Sequence, residues 1–196
     1  TKIMFVGGPA GTSKTLLATY CGLQLLNMKS ISDIMYLRSA VESSDRSLGF
    51  LPGNADEKLR FYNLPFIDKL DELLAESKPE KLEDEQRVSM FPVNFARGMN
   101  WTDKCIILDE AQNTTPEQMK MFLTRIGFGS RVVVTGDVTQ IDVPGGKSGL
   151  RDVEGTLNNV PDVAFARLAG RDIVRHRIVQ AIVNAYEQRD STPKNS

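Results

Sequence analysis

The stretch GGPAGTSKT at residues 7–15 limits what this chain can fold into more than any other feature. It follows a short apolar run at residues 3–6 and precedes a helical stretch that begins at Lys14. In a strand, glycine-rich loop and helix of this kind, backbone N–H groups and the positive end of the helix face a bound anion. The sequence therefore predicts a loop that holds the phosphates of a nucleotide.

The loop meets the pattern G-x-x-x-x-G-K-[ST] except at Ser13, where the pattern has glycine. We expect Lys14 to reach the β- and γ-phosphates and the Thr15 hydroxyl to ligate Mg²⁺. A serine held in the left-handed backbone region costs about 1–2 kcal/mol. We therefore expect nucleotide binding to be retained, and impaired hydrolysis stays open as an alternative. The predicted cradle consists of Gly8, Pro9, Ala10, Gly11, Thr12, Ser13, Lys14 and Thr15.

A second motif, IILDEAQ at residues 106–112, is an apolar strand that ends in two carboxylates. We expect Asp109 to hold the magnesium shell and Glu110 to polarise a water for attack on the γ-phosphate. Alone, such a strand end reads equally well as a solvated acidic turn. Its combination with the glycine-rich loop favours the functional interpretation.

A third polar strand end, TGDVTQ at residues 135–140, follows another buried run. The carboxyl ends of strands in α/β sheets meet at the edge where ligands bind. Gln140 is therefore a candidate sensor of the γ-phosphate or of the attacking water. The simpler alternative is a turn closed by Asp137.

The fold predicted from these runs is α/β, a mostly parallel sheet of five to six strands with helices on both faces. We expect one domain at residues 1–188, an insertion at about 39–90 and a polar tail at 189–196. The charged stretch at 68–87 predicts one or two exposed helices. The expected strands cover residues 3–6, 33–37, 105–108, 131–135 and 163–168, with 91–95 as a sixth candidate.

Two further helices are predicted from caps and apolar spacing. One begins at Thr115 and Pro116 and ends at Gly127. The other runs over about 174–187 and is expected to bury apolar side chains at Ile178, Ile182 and Tyr186.

The composition excludes some classes of protein. The chain has 24 basic and 25 acidic residues, so its overall charge gives no indication of nucleic-acid binding.

Cys21 and Cys105 lie in apolar stretches and predict two buried, reduced thiols. No apolar run approaches the roughly 18 residues of a membrane span, so we expect a cytoplasmic protein with no membrane partner. Because the chain starts at Thr1, directly before a strand, we expect that a preceding segment has been removed.

Several stretches together resemble the PhoH family of P-loop ATPases, which is named for phosphate starvation. Its core is similar to the first RecA-like domain of superfamily 1 helicases. The matching stretches are GPAGTSKT (8–15), LGFLPG (48–53), RG (97–98), residues 106–130, residues 132–150 and residues 172–187.

This resemblance implies ATP binding and hydrolysis with Mg²⁺. It assigns Lys14 and Thr15 to the phosphates, Asp109 and Glu110 to metal and water, and Gln140 to sensing. It also implies work on single-stranded RNA and homo-oligomers arranged as rings, such as hexamers. Ser13 departs from the family pattern, and the adenine-reading segment of the helicase relatives would lie before residue 1.

A single domain of this kind commonly takes an arginine from a neighbouring subunit to stabilise transition-state charge. Arg175 is the favoured candidate because it lies in a matching stretch, and a surface role is equally compatible with the sequence. The other candidates are Arg125, Arg171 and Arg177.

An RNA contact has support of the same kind. A basic cluster around Arg167 and Arg171 supplies phosphate contacts, and Phe50, Phe61 and Tyr62 offer stacking surfaces. Ordinary surface charges and core aromatics explain these residues equally well.

Two other functions stay open. One is a nucleotide-binding switch or scaffold that no longer hydrolyses ATP, and the other is a small-molecule kinase, disfavoured because the insertion is acidic.

Overall fold

The computed structural model describes residues 2–39, 55–74, 79–174, 178–179 and 181–182. Within these ranges the strands are β1 (Ile3–Gly7), β2 (Asp33–Arg38), β3 (Val88–Pro92), β4 (Lys104–Asp109), β5 (Arg131–Gly136) and β6 (Val163–Arg167). The α-helices are α1 (Lys14–Asn27), α2 (Ala55–Leu74), α3 (Pro79–Asp84), α4 (Pro116–Leu123) and α5 (Gly149–Thr156).

The strands form one sheet in the order β3-β2-β4-β5-β1-β6, and each pair of neighbours is parallel. This confirms the predicted α/β class and the five predicted strands. The sixth candidate, residues 91–95, was predicted too far along the chain. The strand is Val88–Pro92, and residues 93–96 form a 3-10 turn. The turn takes over at Pro92, because proline lacks the N–H that would continue a ladder.

Side chains alternate between the two faces of the sheet and build a core on each. In β4, Ile106 and Leu108 belong to one core, while Cys105 and Ile107 belong to the other. The first core includes side chains of α4 and α5, and the second includes side chains of α1 and α2. Helices therefore cover both faces, as predicted.

The helix α2 corrects the expectation that the charged stretch forms only exposed helices. Its Phe66 and Leu70 are fully buried in the second core, while Asp68 and Asp71 on the same helix are exposed. The apolar residues fall on one side of the helix although charged residues dominate the composition. The exposed face is solvated as expected, and the other face helps to position the site described below.

The helix α4 begins as predicted and ends early. The Thr115 hydroxyl accepts a hydrogen bond from the Gln118 N–H, and Pro116 opens the first turn. The helix stops at Leu123 rather than at Gly127, because residues 125–127 turn away to bond with Trp101. The Trp101 N–H donates to the Arg125 carbonyl, and the Gly127 N–H donates to the Trp101 carbonyl.

Of the two thiols predicted to be buried, one is exposed and the other is buried as predicted. Cys21 is exposed, because the buried positions of α1 lie at Ala18, Thr19, Gly22 and Leu26 and leave Cys21 on the outer side. Cys105 is buried, and burial raises the pKa of its thiol to about 12.

Near the C-terminus, residues 178–179 and 181–182 are helical, but Ile178 is 60% exposed and Ile182 is 50% exposed. The described part of the chain covers neither side chain fully, because the two cores are closed by other helices. Tyr186 and the 189–196 tail lie outside the described residues. In the described part of the chain, no helix combines the length and apolarity that crossing a bilayer requires.

Candidate nucleotide site

The glycine-rich loop connects β1 to α1 at the carboxyl edge of the sheet. The Gly8 N–H donates to the Gly136 carbonyl at the end of β5, 3.2 Å away. A Cβ atom at Gly8 would lie 2.8 Å from the Leu168 Cβ and 2.9 Å from the Leu168 carbonyl oxygen. Glycine is therefore required at this position by close packing against the chain that follows β6.

Ser13 occupies the left-handed backbone region, with φ 57° and ψ 28°. The conformation that glycine adopts freely at this position of the pattern is therefore forced on a residue that has a Cβ. Ser13 is also the N-cap of α1, yet its side chain makes no capping hydrogen bond. The Ser13 carbonyl nonetheless accepts the first helical bond, from the Leu17 N–H at 2.9 Å, so the loop delivers the start of α1 intact.

The loop also holds its own lysine. The Lys14 ammonium donates to the Gly8 carbonyl at 2.7 Å and to the Pro9 carbonyl at 2.9 Å. The Thr12 hydroxyl donates to the same Pro9 carbonyl at 2.8 Å, beneath the loop. The positive charge of Lys14 thus lies over the loop, where a phosphate group would also find the free N–H groups of the first turn of a helix.

Asp109 ends β4 and connects the two motifs. The Thr15 hydroxyl donates to the Asp109 Oδ2 atom at 2.9 Å, across 94 positions of sequence. The Thr135 hydroxyl donates to the Oδ1 atom at 2.5 Å. A hydroxyl and a carboxylate in contact are the hard oxygen donors that Mg²⁺ prefers, so the side chains present fit this ion.

Glu110 follows immediately, in the left-handed region with φ 52°. This backbone turn takes Glu110 off the line of the strand. Its Oε2 atom accepts a hydrogen bond from the Gln112 Nε2 at 2.7 Å. The buried Gln112 side chain also accepts from the Asp137 N–H at 3.0 Å. Gln112 therefore links the candidate base to the turn that follows β5.

The predicted site residues meet around a pocket of about 360 Å³. Lys14, Thr15, Asp109, Glu110 and Gln140 all line this pocket. From the loop, Ala10, Gly11 and Ser13 line it as well.

Three predicted cradle residues lie elsewhere. Gly8 and Pro9 line a second pocket of about 510 Å³, and Thr12 is buried. Asp137 lines both pockets, and its buried Oδ2 atom has no hydrogen-bond partner among the described residues.

Sequence reasoning missed several residues of the site. Lys69 of α2 lines the 360 Å³ pocket and forms a 2.6 Å ion pair with Glu72. No local pattern marks Lys69, because its place depends on how α2 packs. Tyr36 also reaches the site, where its hydroxyl donates to Asp109, and its signal in the sequence was a hydroxyl within the apolar run of residues 34–37. Burial, followed by the charge of Asp109, raises the pKa of Tyr36 well above its ordinary value.

The predicted arginine and RNA contacts are only partly described. Arg175 and Arg177 lie outside the described residues, as do Phe50 and the side chain of Phe61. Arg171 is exposed. Two other candidates are already engaged within the fold. Arg167 forms an exposed 3.3 Å ion pair with Glu154. The Arg38 guanidinium lies over the Tyr62 ring, 5.4 Å from the ring centroid.

A profile of the family described as "PhoH-like protein" matches residues 1–187. The chain belongs to this family. A PhoH-like protein of Mycobacterium tuberculosis is 49% identical over 185 residues, covering 94% of this chain and 52% of that protein. A PhoH-like protein of Bacillus subtilis is 43% identical over 189 residues, which cover 96% of this chain and 59% of that protein. Protein PhoH of Escherichia coli K12 is 36% identical over 192 residues, which cover 94% of this chain and 53% of that protein.

The chain thus spans little more than half the length of these PhoH relatives. Among solved structures, the flagellar accessory protein FlaH of Methanocaldococcus jannaschii aligns with a TM-score of 0.34 at 11% identity, covering 94% of this chain and 67% of that chain. Membership of the PhoH family, together with the loop between β1 and α1, makes this chain a P-loop NTPase-like domain.

Proposed function

We propose that this PhoH domain binds ATP with Mg²⁺ and hydrolyses it. The observation that carries the proposal is the 2.9 Å hydrogen bond from the Thr15 hydroxyl to Asp109, beside a pocket that Lys14 and Glu110 also line. This bond joins the glycine-rich loop to the end of β4, the two motifs on which the proposal rests, from distant parts of the sequence. Mg²⁺ bound there would offset the charge of the β- and γ-phosphates.

The chain's own residues divide the work. Lys14 exchanges its two loop carbonyls for phosphate oxygens, so that its ammonium contacts an anion instead of a neutral acceptor. Glu110 accepts the proton of the attacking water, with its carboxylate oriented by Gln112. Gln140 lies at the same pocket, where its amide can bond to the water or to the γ-phosphate.

A nucleotide-binding switch that turns over poorly is the second candidate. Ser13 favours it, because a residue with a Cβ adopts the left-handed conformation at a cost and leaves less room than glycine for the close approach of a phosphate. Tight ATP binding with undetectable phosphate release would identify the switch. Coupling to RNA and assembly into rings with Arg175 supplied in trans belong to the same proposal and rest on family resemblance.

The test is steady-state phosphate release with ATP, with Mg²⁺ or with chelator, for wild type, Glu110→Gln and Glu85→Gln. Glu110→Gln keeps the size of the side chain and an acceptor for Gln112, and removes only the base. We expect it to lower kcat by about 10²–10⁴-fold, while Glu85→Gln, which removes an exposed carboxylate just beyond the end of α3, leaves kcat unchanged.

Equal kcat in wild type and Glu110→Gln would refute the assigned role. Adding single-stranded RNA at low and at physiological salt tests the coupling in the same assay. Stimulation through phosphate contacts must weaken as salt rises.

A further inference from the structure

Four hydrogen-bond donors surround the Asp109 carboxylate. The Oδ1 atom accepts from the Thr135 hydroxyl at 2.5 Å and from the Glu110 N–H at 3.0 Å. The Oδ2 atom accepts from the hydroxyls of Thr15 and Tyr36, each at 2.9 Å. Each carboxylate oxygen therefore accepts two hydrogen bonds, and together these bonds fix the orientation of the Asp109 carboxylate.

The sheet register explains how Tyr36 reaches this carboxylate. Tyr36 of β2 pairs with Ile107 of β4, and Arg38 pairs with Asp109. Side chains two residues apart on a strand share a face, so Tyr36, Ile107 and Asp109 lie on the face that α1 covers. Tyr36 and Asp109 are therefore diagonal cross-strand neighbours, within reach of a long side chain.

The surroundings of Tyr36 leave its hydroxyl little freedom. The residue is 0% exposed, and its ring stacks on the Phe66 ring of α2 with centroids 4.3 Å apart and planes 9° from parallel. A buried phenol hydroxyl needs a hydrogen-bond partner, and here the partner is the candidate metal carboxylate. The stacked ring thus aims a rigid donor at the Oδ2 atom.

We propose that Tyr36 is a positioning residue for Asp109, and that its hydroxyl keeps the Oδ2 atom turned toward Thr15. Because Thr15 and Asp109 form the expected magnesium site, this inference rests on the proposed function. The consequence is specific. Loss of the hydroxyl raises the Mg²⁺ concentration that nucleotide binding requires and leaves the phosphate contacts of the loop in place.

The experiment measures equilibrium binding of a fluorescent ATP analogue over a range of Mg²⁺ concentrations and in chelator. Tyr36→Phe keeps the ring and its stacking on Phe66, and removes only the hydroxyl. Tyr62→Phe is the matched control, because it removes a phenol hydroxyl that donates to the Arg38 carbonyl at 2.8 Å and does not bond to Asp109. Thermal unfolding of each variant shows whether the fold is retained.

We expect Tyr36→Phe to need about tenfold more Mg²⁺ for half-maximal binding, with unchanged affinity in chelator; tenfold corresponds to about 1.4 kcal/mol. Tyr62→Phe should follow the wild type. A Tyr36→Phe curve that coincides with that of Tyr62→Phe would overturn the inference, and so would a Tyr36→Phe protein that does not fold. A wild type whose nucleotide binding ignores Mg²⁺ would instead refute the proposed function itself.

Discussion

Replacing Ser13 by glycine should stabilise the domain, because Ser13 is held at φ 57°. The left-handed conformation costs a residue with a Cβ about 1–2 kcal/mol, and this cost disappears in glycine. Glycine in turn lowers the free energy of unfolding by about 0.4–1 kcal/mol, because it gives the unfolded chain more conformational freedom. The difference leaves Ser13→Gly about 1 kcal/mol more stable than the wild type.

Ser13→Ala separates the backbone from the hydroxyl. At an ordinary N-cap, replacing serine by alanine costs about 1 kcal/mol. The Ser13 side chain makes no capping bond, so we expect Ser13→Ala to stay within about 0.5 kcal/mol of the wild type. The free energy of unfolding of Ser13→Gly should therefore exceed that of Ser13→Ala by about 1 kcal/mol.

Lys29 supplies a control far from the site. It has φ 55° just beyond the other end of α1, so a change to glycine relieves the same kind of strain there. Urea unfolding measures all of these variants, with an unchanged slope required for comparison. ATP affinity should change only in the Ser13 variants, by less than about tenfold, and should stay at the wild-type value when Lys29 is replaced by glycine. A Ser13→Gly protein no more stable than Ser13→Ala would refute the assignment of strain to this residue.

Two further predictions follow from the packing of the site. Gly8→Ala should destabilise the domain by about 1–3 kcal/mol through overpacking. Gly7→Ala should be nearly neutral in the same urea assay, because no atom of the described residues beyond its chain neighbours lies within 4 Å of the Cβ it would add. Equal losses of stability in the two variants would contradict the packing argument. Gln112→Glu replaces the amide that donates to the Glu110 carboxylate by a second carboxylate, which repels Glu110 instead of orienting it. The kcat for phosphate release should then fall, by up to about the 10²–10⁴-fold that a general base contributes, and an unchanged kcat would show that Gln112 does not orient the working base.

Much of the framework could be predicted from the sequence because its signals are local. Apolar runs bounded by glycine and charge predicted five of the strands, and Thr115 with Pro116 predicted the start of α4. The glycine-rich loop and the Asp109 and Glu110 pair could be placed at one edge because parallel strands share their carboxyl ends. Even the strain at Ser13 followed from the pattern, since glycine is favoured where φ is positive.

The remainder depends on register and packing, which no local pattern reports. Tyr36 reaches Asp109 only because β2 and β4 pair in one particular register. Lys69 reaches the pocket only because the apolar side of α2 lies on the sheet. The exposure of Cys21 depends on which side of α1 faces the core, and apolar neighbours in sequence do not report that side.

The central claim, that the loop remains a working phosphate cradle despite Ser13, is tested most directly by equilibrium binding of ATP to wild type and Lys14→Ala in the presence of Mg²⁺. The account predicts measurable binding by the wild type and a loss of about tenfold or more in Lys14→Ala, since hydrogen bonds to charged groups contribute about 1.5–3 kcal/mol. Wild-type protein that binds no ATP, or binds it as tightly without the Lys14 ammonium as with it, would contradict the account.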